Sequence, residues 1–138
     1  MTIPAAARVV LESEAPAHLV TLNPDGTPQI SCVWIGLDGD EIVSAHLSSA
    51  QKKLRNVRRD PRVALSVEGT ELQPPGLKQY VVVHGRARIT EGGAPELLKK
   101  LANTMLGSDE HFPPPNSPPG LLTRIRIDKV GGMGPWSD

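Results

Sequence analysis

Short runs of aliphatic and β-branched residues recur along the chain, separated by Gly, Pro, Asn and Asp. Runs of about 4–8 such residues bounded by turn formers read as strands. His18-Leu-Val-Thr-Leu22 and Gln29-Ile-Ser-Cys-Val-Trp-Ile35 flank the turn Asn23-Pro-Asp-Gly-Thr-Pro28, which predicts a β-hairpin. A second turn, Leu37-Asp-Gly-Asp40, leads into Glu41-Ile-Val-Ser-Ala-His-Leu47 as a third antiparallel strand. Arg62–Val67 predicts a fourth strand, Gln79–Ile89 a long fifth and the alternating stretch Leu121–Asp128 a sixth. Residues 69–78 read as a turn-rich connection, and Gly85, central in the fifth strand, marks a bend or bulge.

Helical patterns interrupt these strands. Pro4 in a first turn, followed by good helix formers, predicts a short N-terminal helix packed as a lid. Ser48 or Ser49 is placed to cap a helix over residues 50–59 that Pro61 ends, and 95–105 is amphipathic. The Pro-rich stretch 112–120 predicts a stiff connector, and the tail 131–138 has no regular structure of its own. With no βαβ rhythm and no internal repeat, the expected fold is mainly β: a six-stranded antiparallel barrel with short flanking helices, a single domain over residues 1–138.

Composition narrows the function classes. Fifteen basic residues balance fifteen acidic ones, so the net charge of zero argues against a protein that coats nucleic acid or an anionic membrane. The lone cysteine, Cys32, makes no internal disulfide, and no Cys/His array has metal-ligand spacing, so no metal is expected. Neither a secretory signal nor a membrane span is legible, and the expected location is cytoplasmic. Trp34, Tyr80, Phe112 and Trp136 are the four aromatic residues. The core therefore falls to Val, Leu, Ile and Ala, and some apolar surface should be shared between subunits.

Charge is concentrated in one place. Ser48-Ser-Ala-Gln-Lys-Lys-Leu-Arg-Asn-Val-Arg-Arg-Asp-Pro-Arg62 carries six of the fifteen basic residues. At about 100° per residue, Ala50, Leu54 and Val57 share a buried helix face. Lys53 flanks that face, while Lys52 and Arg59 point away. A lysine one turn from a helix N-terminus, with Ser48 and Ser49 beside it, suits a phosphate. A solvated basic helix with a serine cap is an equally simple reading of the same residues.

The order of elements, the 48–65 segment and the ending Gly131-Gly-Met-Gly-Pro-Trp136 resemble the pyridoxamine 5'-phosphate oxidase-like split β-barrel superfamily. More closely, the chain resembles the actinobacterial branch that uses the deazaflavin coenzyme F420. The resemblance runs from about His18 to Trp136, and its most specific part is Lys-x-x-Asn-x-x-x-Asp-Pro-Arg, with Lys53 and Asn56 at the matching positions.

That resemblance implies a homodimer with a cofactor in each of two inter-subunit grooves. Gln29, Ser31 and Val33 would approach the ring, with the backbone near Cys32 and Trp34 contributing. His46, Ser48, Ser49 and Lys53 would line the phosphate end, and Trp136 would pack near the groove. Many relatives carry an arginine where this chain has Gln51, so Lys52 or Arg55 would supply the second charge. The implied function is an F420-dependent oxidoreductase passing hydride to a conjugated small organic substrate such as an enone, quinone or tetrapyrrole. FMN in the same fold and a non-catalytic F420 or flavin carrier are the alternatives. No catalytic side chain is selected, although Tyr80 is one available proton donor. Cys32 reads as a small buried hydrophobe, and His18, His84 and His111 show no catalytic partner.

Overall fold

The computed structural model describes residues 1–13, 15–110 and 112–136, so His111 and the last two residues of the tail lie outside the described residues. Its strands are β1 (Ala17–Leu22), β2 (Pro28–Val33), β3 (Gly36–Asp38), β4 (Glu41–His46), β5 (Arg62–Gln73), β6 (Leu77–Glu91) and β7 (Leu121–Met133). Its helices are α1 (Ala5–Leu11), α2 (Lys52–Arg59) and α3 (Ala94–Leu106).

The strands form one antiparallel sheet in the order β2-β1-β5-β6-β7-β4-β3. Period-two patterning sets its faces. Val63, Leu65 and Val67 of β5, Val81 and Val83 of β6, and Ile125 and Ile127 of β7 point to one buried side. α1 adds Ala7, Val10 and Leu11 to that core, and α2 closes the neighbouring part of it with Leu54 and Val57. As the composition requires, the fully buried apolar side chains are aliphatic.

Two expectations about the sheet are corrected. It has seven strands rather than six, and it does not close into a barrel: β2 and β3, the two ends of the ladder, are not hydrogen-bonded to each other. The cause lies after Val33. β1 ends at Ala17 opposite Val33, so the chain beyond has no partner on that side. The expected strand 29–35 therefore breaks, and Gly36–Asp38 turns back at Gly39 (φ +62°) to pair with β4 as Gly36↔Val43 and Asp38↔Glu41. Ser44 Oγ on β4 donates to the Trp34 carbonyl at 3.0 Å and ties the break in place.

The 69–78 connection is also largely ladder. β5 continues to Gln73 and β6 starts at Leu77, with Pro74-Pro75-Gly76 as the tip. The expected irregularity at Gly85 is present: the β6–β7 register shifts between His84 and Gly85. A Cβ on Gly85 would lie 2.2 Å from the Arg126 carbonyl oxygen, so the close strand approach there requires glycine. The stretch 131–133 gains regular structure by pairing with Tyr80–Val82.

Helix α2 begins later than expected. Its N-cap is Gln51, without a side-chain capping bond. Ser48 does not cap it because its Oγ already accepts the Ala50 N–H at 3.2 Å, closing a turn before the helix starts. Ala50 is consequently outside the helix and exposed, and the third member of the buried face is Asn56. The end at Arg59, two residues before Pro61, is as the sequence predicts.

Candidate functional site

Where the ladder is open, a cleft of about 260 Å³ forms. Its lining comes from β2 and the residue after it (Cys32, Val33, Trp34), β4 (Ser44, Ala45), α2 (Lys53), α3 (Leu98) and Phe112 of the Pro-rich connector. The break after Val33 thus shapes the concavity, and α2 reaches it through Lys53.

Lys53 is the cation of this cleft. It is half-buried, and loss of hydration holds its ammonium below the usual lysine range, with the nearby Cys32 thiol opposing that shift. No carboxylate among the described residues pairs with it. A partly desolvated, unpaired ammonium gains most from an anion brought into the cleft. Lys53 also sits in the first turn of α2, where no acidic residue competes for the free N–H groups.

His46 ends β4 next to this cation. It is 2% exposed, and its Nε2 is 2.8 Å from Thr123 Oγ1. Burial first, and the Lys53 charge second, hold its pKa down to about 4, against the opposing hydrogen bond of Gln51. The imidazole is therefore neutral near pH 7 and adds no positive charge.

The other residues singled out in the sequence fall into three places. Ser48, Ser49, Lys52 and Arg55 are exposed around the start of α2. Of these, Arg55 donates to the Ala50 carbonyl at 2.6 Å, and Ser49 joins Arg58 in lining a second groove of about 430 Å³ beside Gly92 and Gly120. On β2, Gln29 and Ser31 are half-buried and Val33 enters the core. Gln29 is engaged by Asn56, whose Nδ2 donates to Gln29 Oε1 at 3.0 Å and to Thr21 and Asn23 at 3.1 Å each. Trp136 packs on the core of its own chain, and its Nε1 donates to the Gly131 carbonyl at 2.9 Å.

Cys32 is a correction. It is exposed, not a buried hydrophobe, because alternation along β2 sends Val33 inward and Cys32 to the opposite face of an edge strand. His18 and His84 are exposed, as is Tyr80, and none of them lines the cleft. No group of three or more His, Cys, Asp or Glu side chains could hold a metal among the described residues. No helix among them is long and apolar enough to cross a membrane.

Sequence reasoning missed Ser44, Ala45 and Leu98 as parts of the site. Ser44 was within reach, being two positions before His46 on the same strand face. Leu98 comes from a distant segment and carries no local signal.

With this geometry in place, the class is defined: residues 3–134 match the pyridoxamine 5'-phosphate oxidase family, and the chain belongs to it. The fold is similar to that of an F420 reductase, at 26% identity and a TM-score of 0.76, covering 94% of this chain and 98% of that one. It is also similar to an FAD-binding protein from Mesorhizobium loti, at 24% identity, a TM-score of 0.65 and coverage of 96% and 95%. A conserved hypothetical protein from Mycobacterium tuberculosis shares the fold at 22% identity and a TM-score of 0.70, covering 96% of this chain and 85% of that one. The family suggests an oxidoreductase.

Proposed function

We propose that this protein is an oxidoreductase that binds coenzyme F420 in the Lys53 cleft and reduces a conjugated small organic substrate. The observation that carries this reading is Lys53 itself: a half-buried ammonium with no carboxylate partner among the described residues, lining a cleft at a helix N-terminus. That donor set fits a phosphate-bearing cofactor. The bound deazaflavin would supply hydride chemistry that no side chain here provides.

The protein's part is binding and orientation. Lys53 would hold the phosphate, and the α2 N–H groups would complete its shell. Ser48, Ser49, Lys52 and Arg55 would form the polar rim, with His46 behind them as a neutral support. Cys32, Val33 and Trp34 would form one wall beside the ring, with Gln29 and Ser31 continuing along β2 and Trp136 closing from the tail. Ser49 and Arg58 offer a continuation of the site into the second groove, suited to the carboxylates that extend beyond the phosphate in F420.

We place the cofactor between two copies of the chain. One protomer's cleft, about 260 Å³, lies at the low end of what cofactor sites usually offer, roughly 300–1,000 Å³, which supports a second copy closing over the ligand. The outer face of β2, β1, β5 and β6 suits that role. Its cross-strand rows Ile30–Val20–Ala64–His84 and Cys32–His18–Ser66–Val82 carry no Lys, Arg, Asp or Glu, and apart from one histidine in each they hold small or apolar side chains.

FMN is the second reading, favoured by one observation. Arg55 is bonded to the Ala50 carbonyl and Arg59 to the Leu22 carbonyl, so fewer arginines are free for a polyanionic tail than their number suggests. Titration of the purified apo-protein with F420 and FMN side by side tests the choice. Tighter F420 binding upholds the proposal, and tighter FMN binding replaces it with the second reading. Turnover with reduced cofactor over a panel of enones and quinones then separates an enzyme from a carrier, which would bind and turn over none.

A further inference from the structure

Two of the chain's four aromatic residues meet at the cleft. Trp34 follows β2, Phe112 arrives from the connector before β7, and their rings stand edge to face with centroids 5.5 Å apart and planes at 75°. Both line the cleft, with Leu98 of α3 also contributing. In a chain whose core is otherwise aliphatic, this pair is not needed to fill the interior: both residues remain only partly buried. Among the described residues the cleft is therefore two-sided, with the charge of Lys53 on α2 facing a wall of Trp34, Phe112 and Leu98.

Phe112 is also held by stiff backbone. Five prolines follow it among residues 113–119, and Ser117 Oγ donates to the Pro114 carbonyl within that stretch. Proline removes conformational freedom from the unliganded segment, so less is lost when a ligand packs on the ring.

We infer that Phe112, braced by Trp34, determines substrate specificity, giving the cleft a preference for a flat, uncharged, conjugated ring over a saturated ring of similar size. This rests on the reading of the cleft as the redox site. An aromatic edge and face interact favourably with another π system, whereas a puckered saturated ring keeps only the area contact. Among the described residues no charged side chain lies on that wall, so an ionic substituent finds no partner there.

The test is equilibrium dialysis of the full-length protein against 2,3-dimethyl-1,4-naphthoquinone and 1-decalone. The quinone is fully substituted so that the exposed Cys32 thiol has no open position for addition. Wild-type protein should bind the quinone at least threefold more tightly than the decalone. Phe112→Leu should weaken quinone binding about 3- to 10-fold, the scale of one aromatic contact, and Phe112→Tyr should restore it to within about twofold. Decalone, which keeps only the area contact, should change by less than about twofold in both variants.

F420 and FMN titrations of the same proteins separate the two layers of the argument. If neither cofactor binds, the redox reading fails, while the ring preference is still read directly from dialysis. If a cofactor binds, equal affinities for quinone and decalone, no quinone binding, or no effect of Phe112→Leu overturn the inference. Equal loss of cofactor and quinone in Phe112→Leu also overturns it, because Phe112 would then belong to the cofactor slot.

Discussion

Asn56 on α2 donates from Nδ2 to Gln29 Oε1 on β2 at 3.0 Å, and so fastens the helix that carries Lys53 to the strand that leads into the cleft wall. The same amide reaches Thr21 Oγ1 and Asn23 Oδ1, and its Oδ1 accepts from Arg59 at 3.3 Å. One side chain, 1% exposed, thereby sets the position of α2 against the first hairpin.

Asn56→Asp should destabilise the protein by about 2–4 kcal/mol, because it replaces the shared donor with acceptors that face three side-chain oxygens in a buried site. Urea unfolding monitored by circular dichroism measures this. A loss under 1 kcal/mol would show that the network contributes little to holding α2.

Lys53→Ala should weaken cofactor binding by roughly 1.5–3 kcal/mol, the typical worth of a charge-assisted hydrogen bond. It should leave the apo-protein at least as stable, since an unpaired, partly desolvated ammonium is removed. Lys52→Ala, at an exposed position on the same turn, should cost much less. Titration calorimetry and thermal melts on both variants check this, and equal losses would mean that the segment acts only as diffuse charge.

Stability should fall as the pH is lowered through the range set by His46. Its folded pKa of about 4 lies below the ordinary 6.5, so between these values the unfolded chain binds a proton that the folded chain refuses. The stabilisation is fully present above about pH 6.5 and is lost progressively toward pH 4, amounting to about 3 kcal/mol at about 1.4 kcal/mol per pKa unit. His46→Gln should flatten the dependence of the urea midpoint between pH 7.5 and 5. An unchanged slope in that variant would assign the acid sensitivity to other groups.

Salt should separate the two candidate cofactors. If the carboxylates of F420 extend past Lys53 over Arg58 and Ser49, F420 affinity should drop more steeply than FMN affinity as ionic strength rises, since exposed pairs are screened beyond about 8–10 Å. Arg58→Gln should remove part of that excess slope, within the roughly 0.2–1 kcal/mol expected of one exposed contact. Parallel salt slopes for the two cofactors would argue against a tail-binding surface on α2.

Period-two patterning and turn chemistry made most strands legible in the sequence, because each depends on residues close together in the chain. The same locality made α2, its stop before Pro61 and the buried Leu54–Val57 face readable, and it marked Gly85 as an irregular position. The Lys53-x-x-Asn56 segment stood out for the same reason: four consecutive residues place a cation beside the cleft and an amide under the helix.

What local pattern did not contain was decided by partners. Trp34 and Ile35 are as strand-like as Val33, yet β2 stops because β1 runs out opposite Val33. Cys32 looks apolar in sequence but is exposed because alternation along β2 puts it, like His18 opposite it on β1, on the sheet face away from the core, and which face is covered is a property of the whole sheet. Ser48 resembles a cap, but its hydroxyl is taken by Ala50. The cleft itself joins Trp34, Lys53, Leu98 and Phe112 from four separate segments. The sequence by itself determined the elements and the charge at the head of α2; only the tertiary structure decided where the sheet opens and what lines the opening, because those depend on contacts between residues far apart in the chain.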